Sequence, residues 1–216
     1  HEMVADGHWL LTTMNGEPRY EKPPLPTWLS AFSSILFGAR SLFALRLPQV
    51  LMVMLLGIYT YLFSNKLLNN SVHSFYNGMI AITSFYIIGI TIEAPWDIFT
   101  HVFMFMGIYY LFRLFENENH RSRFSILSGI FIGFSILSKG PVSIYALLLP
   151  FLVAYSITYR YKLKNKVPYI FLVIIIAVLI GCWWYCYVYF QDSQTFSSIS
   201  KKETGNWADY NVKPFY

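Results

Sequence analysis

Charge is what this sequence has least of. Only 12% of its 216 residues are Asp, Glu, Lys or Arg, where a soluble domain carries about 25%. Cysteine is nearly absent too: Cys182 and Cys186 sit four apart inside one apolar run, which suits packing residues on one helix face and not a disulfide framework. No GxxxxGK phosphate loop, dinucleotide fingerprint, Ser-His-Asp order or HExxH-type metal spacing occurs. These absences exclude an ordinary cytosolic globule and a nucleotide-dependent enzyme of the usual kinds, and no nucleic-acid partner is expected.

What replaces charge is long apolar sequence, 56% hydrophobic and 19% aromatic. Runs near the roughly 20 residues that cross a bilayer recur at 47–63, 75–92, 98–112, 124–137, 142–159 and 168–190. The third and fourth are short and need their flanks to span. The expected fold is therefore all-α, a polytopic membrane helix bundle of about six spans over 47–190. Residues 1–46 form a first outer loop, and 191–216 begin another. Gly78, Gly89, Gly107, Gly129 and Gly133 fall inside spans, where small residues let helices approach closely.

Basic residues orient the chain. The links 64–74, 113–123 and 160–167 hold Lys66, Arg113, Arg121, Arg123, Arg160, Lys162, Lys164 and Lys166, whereas the opposite short links hold only Lys139. The first set is expected to be cytoplasmic. The long polar segments and the links IEAPWD and SKGP then face the exterior, the periplasmic side of an inner membrane.

At that outer surface lies NGEPRYEKPPLPTW, residues 15–28. Pro23 and Pro24 fix the backbone after Lys22 and bias Lys22 towards an extended conformation. Residues 26–38 follow as a short helix, with Trp28, Leu29, Phe32, Ile35 and Leu36 on one face and Thr27, Ser30, Ser33 and Ser34 on the other, a pattern suited to the interface plane. Lys22 and Arg19 can each neutralise a phosphate at headgroup height or simply reach for headgroups. Tyr20 is a substrate contact or an interfacial aromatic. Glu21 cannot serve a phosphate directly; it can orient Lys22, accept a proton or bind a cation.

Further ionisable groups mark the other outer links. Asp97 lies in the first turn after Pro95, where a carboxylate is favoured, and His101 shares its face four residues on. Glu93 precedes them. Ionisable groups at membrane depth usually face a cavity or a partner. Lys139 in SKGP is a second candidate phosphate contact or a headgroup anchor. The basic and aromatic residues of KKETGNWADYNVKPFY suit an interfacial loop or a sugar-phosphate surface.

The stretch HEMVADGHWLLTTMNGEPRYEKPPLPTWL resembles the first outer loop of the GT-C superfamily of lipid-dependent membrane glycosyltransferases, in which an EM…G.W…NG..Y.EKPP run follows the first span. FSILSKGPVSIYALLLPFL resembles a second family hallmark, and KPFY the start of a Pro-Phe-aromatic motif. The aminoarabinose transferases of lipid A and the protein O-mannosyltransferases look nearest. The resemblance implies transfer of a sugar from a polyprenyl phosphate carrier of the undecaprenyl type to a lipid, glycan or protein acceptor on the outer face.

In this resemblance Lys22 matches the lysine that holds the carrier phosphate, with Arg19 and Lys139 as further phosphate contacts. Tyr20, Glu21 and His101 become candidate substrate contacts. The family's catalytic Asp belongs to an Asp-Glu pair upstream of the EM run, so the base is expected outside these residues, with Glu93 and Asp97 as substitutes. A divalent metal is a possibility the family raises through the acid at Glu21 and a His; the matching position here is Asn211, a departure from the pattern. Two other readings stand beside the transferase. A flippase of lipid-linked sugars would also want outer basic groups, but with broken mid-membrane spans and internal symmetry. A structural subunit would explain the spans but neither EKPP nor SKGP.

Overall fold

The computed structural model describes Met3 and residues 7–38, 41–93, 95–117, 119–159 and 166–209, without the side chains of Pro95 and 203–209. Each of the six apolar runs is helical. A two-stranded hairpin, β1 (Thr13–Met14) and β2 (Glu17–Pro18), precedes α1 (Leu25–Phe37). Then come α2 (Leu42–Leu68), α3 (Ser71–Thr83), α4 (Phe85–Glu93), α5 (Pro95–Glu116) and α6 (Arg121–Lys139). A π-helical turn, Ile144–Leu148, runs into α7 (Leu149–Tyr159), followed by α8 (Val167–Gln191) and α9 (Ser193–Asp209).

By length and composition α2, α5 and α8 can each cross a membrane, and α3 with α4 can do so as one span bent by 41° around Ser84. The fourth and fifth runs form shorter or more polar helices because serines fill α6 and the π turn interrupts the start of the α7 region. Local chemistry sets the reversals. Asn69 ends α2 in the left-handed conformation at φ 51°, and Asn70 then caps α3, its Oδ1 accepting from the N–H groups of Val72 and His73 at 3.1 Å each.

The core is α5, with 78% of its spanning window buried against 28% for α2 and 22% for α8. Helix α6 packs between α5 and α8, and glycine sets how closely. A Cβ on Gly107 of α5 would meet Ile132 Cγ1 at 2.7 Å. On Gly129 and Gly133 it would meet the Cβ atoms of Ile176 and Ile180 at 2.8 and 2.7 Å, and on Gly181 the Cβ of Ile136 at 2.8 Å. Each isoleucine fills the groove a glycine leaves, and close packing of this kind is the main attraction between helices in lipid. Serines then join the same helices. Ser128 Oγ donates to Gly107 O at 2.9 Å, while Ser135 Oγ donates to Thr100 O and lies 2.7 Å from Ser143 Oγ. Gly89 has nothing near it and plays no such part.

Helix α1 follows the expected two-faced pattern over its second half, whereas Trp28 and Leu29, expected on the apolar outer face, pack against the core. Ser33 and Ser34 are buried, whereas Phe32, Ile35, Leu36 and Phe37 are exposed. Polar residues inside and apolar residues outside is the arrangement for a helix against lipid. The segment after α8 is the largest difference from expectation: it starts as helix α9, because Asp192 caps it, Oδ1 accepting from Thr195 N at 3.2 Å. Lys213 and the KPFY motif lie outside the described residues, as do Arg160, Lys162 and Lys164.

The glycine contacts set a test with its own control. Alanine favours a helix over glycine by about 1 kcal/mol, but overpacking costs about 1–3 kcal/mol, and the neighbour of Gly133 is a rigid Cβ. Gly133→Ala is expected to lower the thermal unfolding midpoint in detergent, and Gly89→Ala to leave it unchanged or raise it.

Candidate anion-binding cleft

The hairpin starts the site. Asn15 and Gly16, at φ 55° and 78°, form the tight turn that Asn-Gly favours. Thr12, buried, then ties the returning strand twice: Arg19 N donates to Thr12 O at 2.8 Å, and Thr12 Oγ1 donates to Arg19 O at 2.6 Å. Two tryptophans pin the preceding loop from different helices. Trp28 Nε1 of α1 donates to Trp9 O at 2.6 Å, and Trp184 Nε1 of α8 donates to Leu10 O at 2.8 Å.

Between hairpin and α1 lies RYEKPP. Pro23 and Pro24, directly after Lys22, are fully buried. Tyr20 turns inward to a small core with Leu137, Trp184 and Val188, and its hydroxyl donates to Asp192 Oδ2 at a long 3.4 Å. Burial, and then the Asp192 carboxylate, push the Tyr20 phenol above its usual value of 10, keeping it a neutral donor. Glu21 points outward and is exposed.

Arg19 and Lys22 turn the other way, towards the first turn of α5. The Arg19 guanidinium lies 5.5 Å, and the Lys22 ammonium 5.2 Å, from the centre of the Trp96 ring. Such contacts are worth about 0.5–1 kcal/mol each at exposed sites. The three residues line a cleft of about 280 Å³ with His8, Thr12, Thr13 and Thr27. His8 Nδ1 and Thr13 Oγ1 are hydrogen-bonded at 3.0 Å on its wall. Among the described residues, neither Arg19 nor Lys22 has a carboxylate partner.

Lys139 differs. It forms an ion pair with Asp97, which joins the SKGP turn to the start of α5 one residue from Trp96. Asp97 and His101 share a face as expected, but His101 Nδ1 donates to the backbone carbonyl of Asp97 at 2.7 Å, because the carboxylate is taken by the stronger charged partner. Glu93, exposed at the end of α4, joins neither pair. Glu21 is exposed and Asn211 lies outside the described residues; among the described residues no three His, Cys, Asp or Glu side chains converge.

Sequence reading missed Trp96, Thr12, His8, Trp184 and Asp192. Trp96 stood in plain view in APWD, but nothing local says that a tryptophan on α5 will lie under cations some seventy residues earlier. The cleft, the Lys139–Asp97 pair and the Trp184 anchor lie at one end of the bundle. Arg113 against Phe124, Arg121 against Tyr169, and Lys166, whose Nζ donates to Phe115 O, lie at the other. That second end carries the surplus of short-link basic residues.

The Lys139–Asp97 pair is partly exposed, so its worth falls between the roughly 0–1 kcal/mol of surface pairs and the roughly 3–5 kcal/mol lost when a buried pair is broken. Thermal unfolding is expected to show Asp97→Asn as more destabilising than the double variant Asp97→Asn/Lys139→Gln, since the single change strands the lysine.

Several known proteins are similar to this chain in sequence or in shape. An undecaprenyl phosphate-alpha-4-amino-4-deoxy-L-arabinose arabinosyl transferase of Proteus mirabilis (strain HI4320) is 24% identical over 85% of this chain and 33% of its own length. A protein of Aquifex aeolicus (strain VF5) is 25% identical over 99% of this chain and 40% of its own length. The chain thus spans two fifths or less of the curated relatives it matches most fully. The crystal structure of ArnT from Cupriavidus metallidurans in the apo state superposes with a TM-score of 0.75 at 19% identity, over 89% of this chain and 36% of that one. The structure of ArnT from the same organism bound to undecaprenyl phosphate gives 0.56 at 20% identity, over the same shares. The fold is therefore an all-α, multi-pass membrane fold shared with ArnT. Residues 21–185 match the family described as dolichyl-phosphate-mannose-protein mannosyltransferase, and the chain belongs to that family.

Proposed function

We propose that this chain forms the donor-phosphate site of a membrane glycosyltransferase that moves a sugar from a polyprenyl phosphate carrier to the hydroxyl of a lipid, glycan or protein acceptor. The observation that carries the reading is a pair of cations, Arg19 and Lys22, held beside one cleft where, among the described residues, no carboxylate neutralises them. Family membership and the carrier named for the arabinosyl transferase relatives support it.

The chemistry explains why free cations matter. In the donor the phosphate is a diester with one negative charge. The acceptor oxygen bonds to the anomeric carbon as the bond from that carbon to the phosphate oxygen breaks, and the electron pair leaves with the phosphate. The acceptor proton passes to a general base. The departing monoester gains a second charge, so Lys22 and Arg19 bind it more strongly as it leaves. Only interactions that strengthen on the way to the transition state speed the reaction.

The outer, periplasmic face is the proposed location of the cleft, since the surplus of basic short links is at the other end. Lys139 contributes through Asp97 and not as a free phosphate contact, and Tyr20 acts by anchoring the segment between the two cations.

In the full-length protein in membranes, with radiolabelled polyprenyl phosphate sugars, Lys22→Ala is expected to reduce sugar transfer and carrier release by about 10²–10³-fold, as loss of one preorganised charge-stabilising group does. The variant should still insert and unfold at the wild-type midpoint. Undiminished transfer would sink the reading. Intact donor crossing to the other leaflet with no carrier released would instead establish a flippase.

A further inference from the structure

We propose that Trp96 is a positioning residue for the donor phosphate: its indole holds Arg19 and Lys22 at one cleft while leaving both charges available to an anion. This rests on the function proposed above and assigns a role to a side chain outside the EKPP segment.

The two residues lie three apart on an irregular strand-to-helix connection, and their side chains are long and flexible. Like charges close together repel, so without a restraint each would swing into solvent. A carboxylate would restrain them, but it would also cancel their charge and repel an arriving phosphate. An aromatic ring does the first without the second, because its attraction for a cation comes from the ring's quadrupole and not from a net charge.

Adjacent residues of α5 display both solutions. Asp97 takes Lys139 as an ion pair, whereas Trp96 lies 5.2 and 5.5 Å from the charges of Lys22 and Arg19. Trp96 is itself held in place. The Lys139–Asp97 pair fixes the next residue, and Thr100 Oγ1 donates to the Trp96 carbonyl at 3.3 Å. The ring therefore projects from a backbone anchored in the first turn of the core helix and lies beside both cations. A ligand that finds its cations already gathered loses less freedom on binding than one that must gather them.

The test measures binding of undecaprenyl phosphate to the full-length protein in nanodiscs, for wild type, Trp96→Leu, Trp96→Phe and Lys22→Ala. Trp96→Leu fills similar space without a π face and is expected to weaken binding about tenfold, while Trp96→Phe, which keeps a ring, stays within about threefold of wild type. Site-specific fluorinated tryptophans at 96, which keep the shape and drain the ring, should weaken binding step by step with fluorine number. Equal losses in Trp96→Leu and Trp96→Phe, or no response to fluorination, would overturn the positioning role. If Lys22→Ala also binds normally, the donor site itself is refuted. If only the Trp96 series is silent, the donor site stands and the role of Trp96 falls.

Discussion

Close contact between α6 and its two neighbours is the constraint on which the rest depends. In lipid, apolar side chains gain little by leaving the solvent, so helices hold together through packing and through polar bonds that lipid cannot offer. Gly107, Gly129, Gly133 and Gly181 give up their side chains so that isoleucines can fill the space, and Ser128 and Ser135 reach carbonyls across the contact. This brings the start of α5, the end of α6 and the end of α8 to the same end of the bundle. Trp96, Lys139 and Trp184 are carried there with them. The hairpin and RYEKPP then dock on a surface already built.

That surface treats its cations in two ways. Lys139 is neutralised and joins two helices. Arg19 and Lys22 are steadied by an aromatic ring and keep their charge. A paired cation is already satisfied, whereas one held only by a ring keeps its charge for an anion. Pro23 and Pro24 are fully buried and restrict the backbone just after Lys22. Tyr20 faces inward to the core, whereas Arg19 and Lys22 line the cleft.

Much of this was legible in the sequence. Apolar runs gave the helices, and the spacing of serines and apolar residues gave the two faces of the second half of α1. Four of the five span glycines picked out at the start, Gly78, Gly107, Gly129 and Gly133, do sit at close contacts; Gly89 does not. What sequence could not supply were pairings across distance. Asp97 was matched with His101 because they are four apart, yet its carboxylate goes to Lys139, 42 residues away. Trp96 looked like one aromatic among many, since its partners belong to another segment. Helix α9 was hidden by a polar, irregular composition, although Asp192 three residues before Thr195 was a readable cap.

The most direct test of the account is a cryo-EM structure of the full-length protein in nanodiscs with undecaprenyl phosphate. Phosphate density touching both the Lys22 ammonium and the Arg19 guanidinium, beside Trp96 and with Lys139 still on Asp97, is the predicted result. Density held instead by Lys139 with Asp97 turned away, or bound at the opposite end near Arg113 and Arg121, would contradict it.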